Sequence, residues 1–75
     1  MKVVMIMTLR QYRVRLGWSV EELARRAGLN AQTIRRIEQG SPTFLHTAGA
    51  IVSALSVGYG REIKIEDIEG LTIQA

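Results

Sequence analysis

The stretch SVEELARRAGLNAQTIRRI, Ser19 to Ile37, decides the reading of this chain. It predicts two short helices joined by a tight turn, and its small and apolar positions each have a steric job. Ala24 falls where two helices cross at close range, so a larger side chain would force them apart. Gly28 falls where the chain leaves the first of these helices, and only glycine adopts the left-handed conformation there at little cost. Leu29 plugs the turn. Ile34 and Ile37, three apart, form the inward face of the second helix. Ala31, Gln32, Arg35 and Arg36 are left facing outward.

The boundaries of this unit are written in its flanks. Ser19 and Glu22 form a Ser-x-x-Glu capping box, and that helix continues to Ala27 with Leu23, Ala24 and Ala27 inward and Glu21, Glu22, Arg25 and Arg26 largely outward. Asn30 caps the next helix, which runs to Gln39 and stops at Gly40. Upstream, Thr8 caps a helix to about Leu16, ended by Gly17. Leu9, Arg13 and Leu16 share one face of it. An arginine inside an apolar stripe needs a partner, and Glu38, beside Ile34 and Ile37, is the natural mate. The expected result is a buried or half-buried ion pair.

Val3, Val4 and Ile6 favour extended structure, which makes residues 2–6 a strand candidate, although a start at Met5 or Met7 would leave an ordered domain beginning near Thr8. Ser41, Pro42 and Thr43 make a loop that Pro42 keeps from being helical. A fourth helix follows from about Leu45 to Leu55, packing through Ile51, Val52 and Leu55. Gly49 marks a candidate close contact, and Gly58 and Gly60 are expected to break the helix. Beyond it, Ile63 and Ile65 alternate with Glu62, Lys64 and Glu66 as in a half-buried strand, whereas Ile65, Ile68 and Leu71 fit a short helical turn. Leu71 to Ile73 is a candidate final strand. The expected fold is all-α, a bundle of four to five short helices with small terminal β-strands. It forms one domain over 1–75, with a core at 8–57 and a tail at 58–75 used in dimerisation or partner binding.

Charge is polarised. Residues 1–40 hold eight basic against three acidic side chains, a net of +5, while residues 41–75 hold two against four, a net of −2, within an overall +3. The basic half suits phosphate, the acidic half a partner or solvent. At 75 residues the chain is near the lower limit for a self-sufficient core, and small helical domains often gain stability by dimerising. It has no cysteine, so neither a disulfide nor a thiolate metal site is available, which suits a reducing cytoplasm. No stretch matches a signal peptide or a membrane span, and a soluble cytoplasmic protein is expected.

From Leu9 to Val57 these residues resemble the phage-repressor and Cro-type helix-turn-helix domain, the lambda-repressor-like or XRE-like family. The resemblance rests on Leu9 with Arg13 and Leu16; Ser19-x-x-Glu22-Leu23-Ala24; Gly28-Leu29-Asn30; Thr33-Ile34; Ile37-Glu38-Gln39-Gly40; and Ala54-Leu55. It implies that the helix over 31–38 enters the major groove of double-stranded DNA, with its N-terminal residues at base edges. Carried over, Ala31, Gln32 and Arg36 fall at base-reading positions, with Arg35 on the flank. Asn30, Thr33, Gln39 and Ser41 fall at phosphate-contacting positions, and Arg13 and Glu38 at a buried pair of some family repressors. Val20 stands where the family often has a phosphate-gripping glutamine, and Ser41-Pro42-Thr43 replaces a commonly basic loop. Fewer phosphate anchors are implied, so affinity leans on Arg10, Arg25 and Arg26.

Three functional classes follow: a sequence-specific, dimeric DNA-binding regulator; an antitoxin of the same fold whose tail binds a toxin; and a helical interaction module that never meets DNA. Arg35 and Arg36 beside Gln32 on an exposed helix favour the first two. Enzymatic chemistry is not expected. His46 is the sole histidine, without a serine, cysteine or carboxylate at catalytic spacing, and Glu66, Asp67 and Glu69 read as a solvated acidic edge rather than a metal site. No cofactor is implied.

Overall fold

Both helices expected from Ser19–Ile37 are present in the computed structural model, which describes residues 6–74. The order along the chain is β1 (Met7–Thr8), α1 (Leu9–Arg15), α2 (Val20–Ala27), α3 (Ala31–Glu38), α4 (Leu45–Tyr59), a 3₁₀ turn (Ile65–Asp67) and β2 (Ile68–Glu69). The fold is all-α with a minimal two-stranded sheet. The strand expected at residues 2–6 lies, but for Ile6, outside the described residues, and Ile6 itself is not in a strand.

Local chemistry accounts for the helix ends. Thr8 Oγ1 accepts from the Gln11 N–H, and Gln11 Oε1 accepts from the Thr8 N–H, a reciprocal capping box. At α2 the box is half made. Ser19 Oγ accepts from the Glu22 N–H at 3.0 Å, but the Glu22 carboxylate turns to Arg25 and Arg26 instead. Gly28 leaves α2 with φ 70°, which lets the Leu29 N–H reach back to Ala24 O at 2.8 Å.

The core is centred on Tyr12, Leu23, Ile34, Ile51 and Leu55, all fully buried. Burial contributes on the order of 1.5–3 kcal/mol for each such aliphatic side chain. Tyr12 is the largest of them, and the apolar-stripe reading of α1 did not single it out. Its hydroxyl donates to Asp67 O at 2.9 Å, its ring meets the Tyr59 ring edge-on at 5.7 Å, and the Tyr59 hydroxyl donates to Tyr12 O at 2.8 Å.

Two expectations for α4 are corrected. The helix runs through Gly58 to Tyr59 and ends at Gly60 with φ 70°. Gly58 does not break it. A Cβ there would lie 2.7 Å from Trp18 Cη2 and 2.9 Å from Leu16 Cδ1, so glycine admits the α1–α2 loop against the helix. Gly49, the expected close contact, faces open space instead.

The tail also departs from expectation. Residues 62–65 form no strand; the helical-turn alternative fits better, as a 3₁₀ turn whose Lys64 N–H is capped by Asp67 Oδ2 at 3.0 Å. β2 pairs in parallel with β1, Met7 opposite Ile68 and Thr8 opposite Glu69. The expected final strand is reduced to a bridge between Thr43 and Ile73, in which the Thr43 N–H donates to Thr72 O and the Gln74 N–H to Thr43 O. The tail was expected to serve dimerisation or partner binding, but of its apolar residues Ile63 and Ile68 are buried in the chain's own core at 2% and 5% exposure, while Ile65 and Leu71 are half-buried. The physical reason is size: a core built by four short helices leaves open flanks, which the tail closes.

Candidate nucleic-acid interface

The turn between α2 and α3 sets the geometry. Ala24, 3% exposed, lets the two helices approach, and the Asn30 side chain accepts from the Gln32 N–H at 2.7 Å, starting α3. With Ile34 and Ile37 turned into the core, Gln32, Arg35 and Arg36 are exposed, and Ala31 and Thr33 are half-buried. Gln32 and Arg36 are four apart and share one helix face.

The far end of α3 is clamped. Arg13 Nε donates to Glu38 Oε2 at 2.7 Å, Nη2 donates to Glu38 Oε1 at 3.0 Å, and Nη1 donates to Trp18 O at 3.0 Å. The two side chains are 12% and 11% exposed, so this is a nearly buried, two-pronged pair. The carboxylate's hydrogen bonds hold the guanidinium's proton affinity above its ordinary value, against the opposing effect of burial. α1, the α1–α2 loop and the end of α3 are thereby joined at one point.

The other arginines expected at the interface divide into two groups. Arg25 and Arg26 both donate to Glu22 Oε2, at 2.5 and 2.6 Å, and Arg26 also stacks on Trp18 at 4.4 Å from the ring centre. Those hydrogen bonds keep the Glu22 carboxyl below the usual range. Arg35 crosses from α3 to α2 and pairs with Glu21. The Glu21 carboxyl is also held low, first by its own backbone N–H and then by Arg35. Arg10 and Arg36, by contrast, make no ion pair among the described residues. Arg36 shares a groove with Thr33, Ser41 and Phe44 at the exit of α3, and Arg10 shares a cleft with Gln39 and Gly40 at the same end.

Of the candidate contacts, then, Thr33, Arg36 and Ser41 converge on one groove. Gln32 and Asn30 line the start of α3, while Arg25, Arg26 and Arg35 are each held by an acidic neighbour. Glu21 was missed as a site residue because its partner is fourteen positions away, and nothing in local spacing signals that contact. Phe44 and Leu45 were also missed. They begin α4 fully outward, 53% and 63% exposed, with Phe44 stacked on His46. His46 is thus a surface side chain at the helix start. Among the described residues, no group of three His, Cys, Asp or Glu is placed to hold a metal, and no helix is long and apolar enough to cross a membrane.

A small helical domain with two helices locked across a glycine turn, the second presenting glutamine and arginine outward, is of the class that docks a helix on DNA. The family model described as "Helix-turn-helix domain" matches residues 7–62, and the chain belongs to that family. No curated protein and no solved structure gives a significant match to it.

Proposed function

We propose that this protein is a sequence-specific, double-stranded DNA-binding transcriptional regulator that acts as a homodimer in the cytoplasm, with α3 in the major groove. The observation that carries the reading is the pairing of opposites on α3. Its inner face is anchored by Ile34, Ile37 and the Arg13–Glu38 fork, while Gln32 and Arg36 stand free on the outer face. A rigid helix with unengaged planar polar groups suits base recognition. Gln32 can give a bidentate pair to adenine and Arg36 one to guanine, and Ala31 leaves room or meets a thymine methyl. Asn30, Thr33, Gln39 and Ser41, with Arg10 nearby, supply backbone contacts. Arg25 and Arg26 lie on α2 as outer phosphate contacts, reached from their shared hold on Glu22.

For the subunit contact, the exposed apolar residues Phe44, Leu45 and Ile73 supply a surface that the buried tail isoleucines do not. It follows α3 directly in the chain, so a two-fold axis through it would set two reading helices at a fixed separation. The antitoxin alternative rested on a tail available to a partner. Ile63 and Ile68 of that tail are buried in this chain's own core, so nothing favours it over the regulator. Selection of bound duplexes from a random pool tests the reading. An inverted repeat with half-sites about 34 Å apart is expected; a pool that never enriches would sink it.

A further inference from the structure

We infer that Glu21 is a specificity-determining residue of the DNA interface, because it withholds Arg35 from phosphate. The inference rests on the DNA-binding reading above and concerns how that surface rejects unselected sequence. Arg35 is in the reading helix, yet its guanidinium is turned across to α2 and hydrogen-bonded to the Glu21 carboxylate. Both side chains are well exposed, at 45% and 64%, so the pair stands at the surface that would meet the duplex and is not a buried structural tie. Glu22 engages Arg25 and Arg26 in the same way on the neighbouring turn. Of the four outward arginines on α2 and α3, three are therefore engaged by carboxylates, and Arg36 is the one of the four that makes no ion pair among the described residues.

The consequence follows from how proteins hold DNA. Sequence-independent affinity scales with the number of phosphates neutralised and the counterions released. An arginine that must leave a carboxylate to reach a phosphate contributes less to that sum. The carboxylate left behind is itself repelled by the backbone. On a random duplex the chain is free to settle where most phosphates are met, so there Glu21 costs it the Arg35 contact in full; on the selected site Gln32 and Arg36 fix the register of α3, and Arg35 has less to lose. This is discrimination by weakening the wrong complex.

The test uses the full chain and four proteins: wild type, Glu21→Gln, Arg35→Ala and the double variant, titrated by anisotropy against a random-sequence duplex and the selected site over a salt series. Glu21→Gln should tighten the random duplex by about threefold or more and steepen its salt dependence by about one unit. The selected site should gain less, so the specificity ratio falls. Arg35→Ala alone should leave the salt dependence on random duplex nearly unchanged, and adding it to Glu21→Gln should abolish the gain. The pair is exposed, so melting curves should stay close to wild type. The proposal is overturned if Glu21→Gln matches wild type, if the selected site gains as much as the random duplex, if the gain survives in the double variant, or if Arg35→Ala alone flattens the salt dependence by a full unit. A wild-type chain that binds no duplex overturns the DNA-binding reading itself, and this inference with it.

Discussion

Glu38 and Arg36 lie two positions apart on α3 and have opposite work. The Glu38 carboxylate has both oxygens engaged by Arg13 in a nearly water-free setting. Removing it strands a guanidinium that burial penalises, at a cost of roughly 3–5 kcal/mol. Glu38→Ala should therefore lower the melting temperature sharply, since a small domain has only about 5–15 kcal/mol to lose; an unchanged melting temperature would rule out a stabilising role for the pair. Arg36 is exposed and makes no ion pair among the described residues, so Arg36→Ala should leave the fold intact. It should instead cost about 1–3 kcal/mol on the selected site and relax preference at one base position. Arg25→Ala is the contrasting control. It stands on α2 and is held by Glu22, so its loss should weaken all sequences alike and reduce the salt slope by well under one unit. Identical, sequence-independent losses in the two variants would refute the assignment of Arg36 to bases.

At the scale of elements, α4 carries two glycines whose substitution should have opposite signs. Gly49 is inside the helix with open space where a Cβ would go, so Gly49→Ala should stabilise by about 0.5–1 kcal/mol through helix propensity. Gly58 gains the same propensity, but its new methyl would press on Trp18 and Leu16. Overpacking of that kind costs about 1–3 kcal/mol. Trp18 is a broad, rigid ring with Arg26 stacked over it, so Gly58→Ala should lower the melting temperature and shift tryptophan emission. Thermal melts of the two variants decide it. The sequence placed the special glycine at 49 because propensity and period are local, and at that level the two positions look alike. The same limit explains what else was legible. The caps at Thr8, Ser19 and Asn30, the glycine turn at 28 and the inward isoleucines are all decided within a few residues, and they define the helix-turn-helix. The meeting of Arg13 and Glu38 was readable across twenty-five residues because each broke an apolar stripe. The Tyr12–Asp67 bond, the β1–β2 pairing and the Glu21–Arg35 contact depend on how distant elements pack, and no stripe or spacing encodes them.

Across the whole molecule, the tail holds the domain closed. One phenol ties it to α1, Tyr12 donating to Asp67 O, and a second ties α4 to α1, Tyr59 donating to Tyr12 O. Burial pushes both hydroxyls above their ordinary value of 10.0, with Asp67 adding to the effect at Tyr12. The unfolded chain therefore loses these protons at lower pH than the folded one. The stabilisation is complete below about pH 10 and is lost as pH rises through the folded values. Alkaline unfolding should start above that point, and Tyr12→Phe should blunt it while costing about 1–3 kcal/mol at neutral pH for the unpaired Asp67 carbonyl. The tail also contributes Ile63 and Ile68 to the core, and the Ser56 hydroxyl accepts the Ile63 N–H at 2.8 Å. Truncation after Gly58 would thus remove core, not a detachable dimer arm, and should give an unfolded chain instead of a folded monomer. A cleaner probe of assembly is Leu45→Glu, at an exposed position next to Phe44 where nothing in the folded monomer is disturbed. A charge there must be desolvated if a second copy covers the patch. Sedimentation should then give a folded monomer with a wild-type circular dichroism spectrum, binding one half-site weakly. A dimer of undiminished affinity would move the interface off the start of α4, toward the other exposed apolar residues, Ile6, Val14 and Val57.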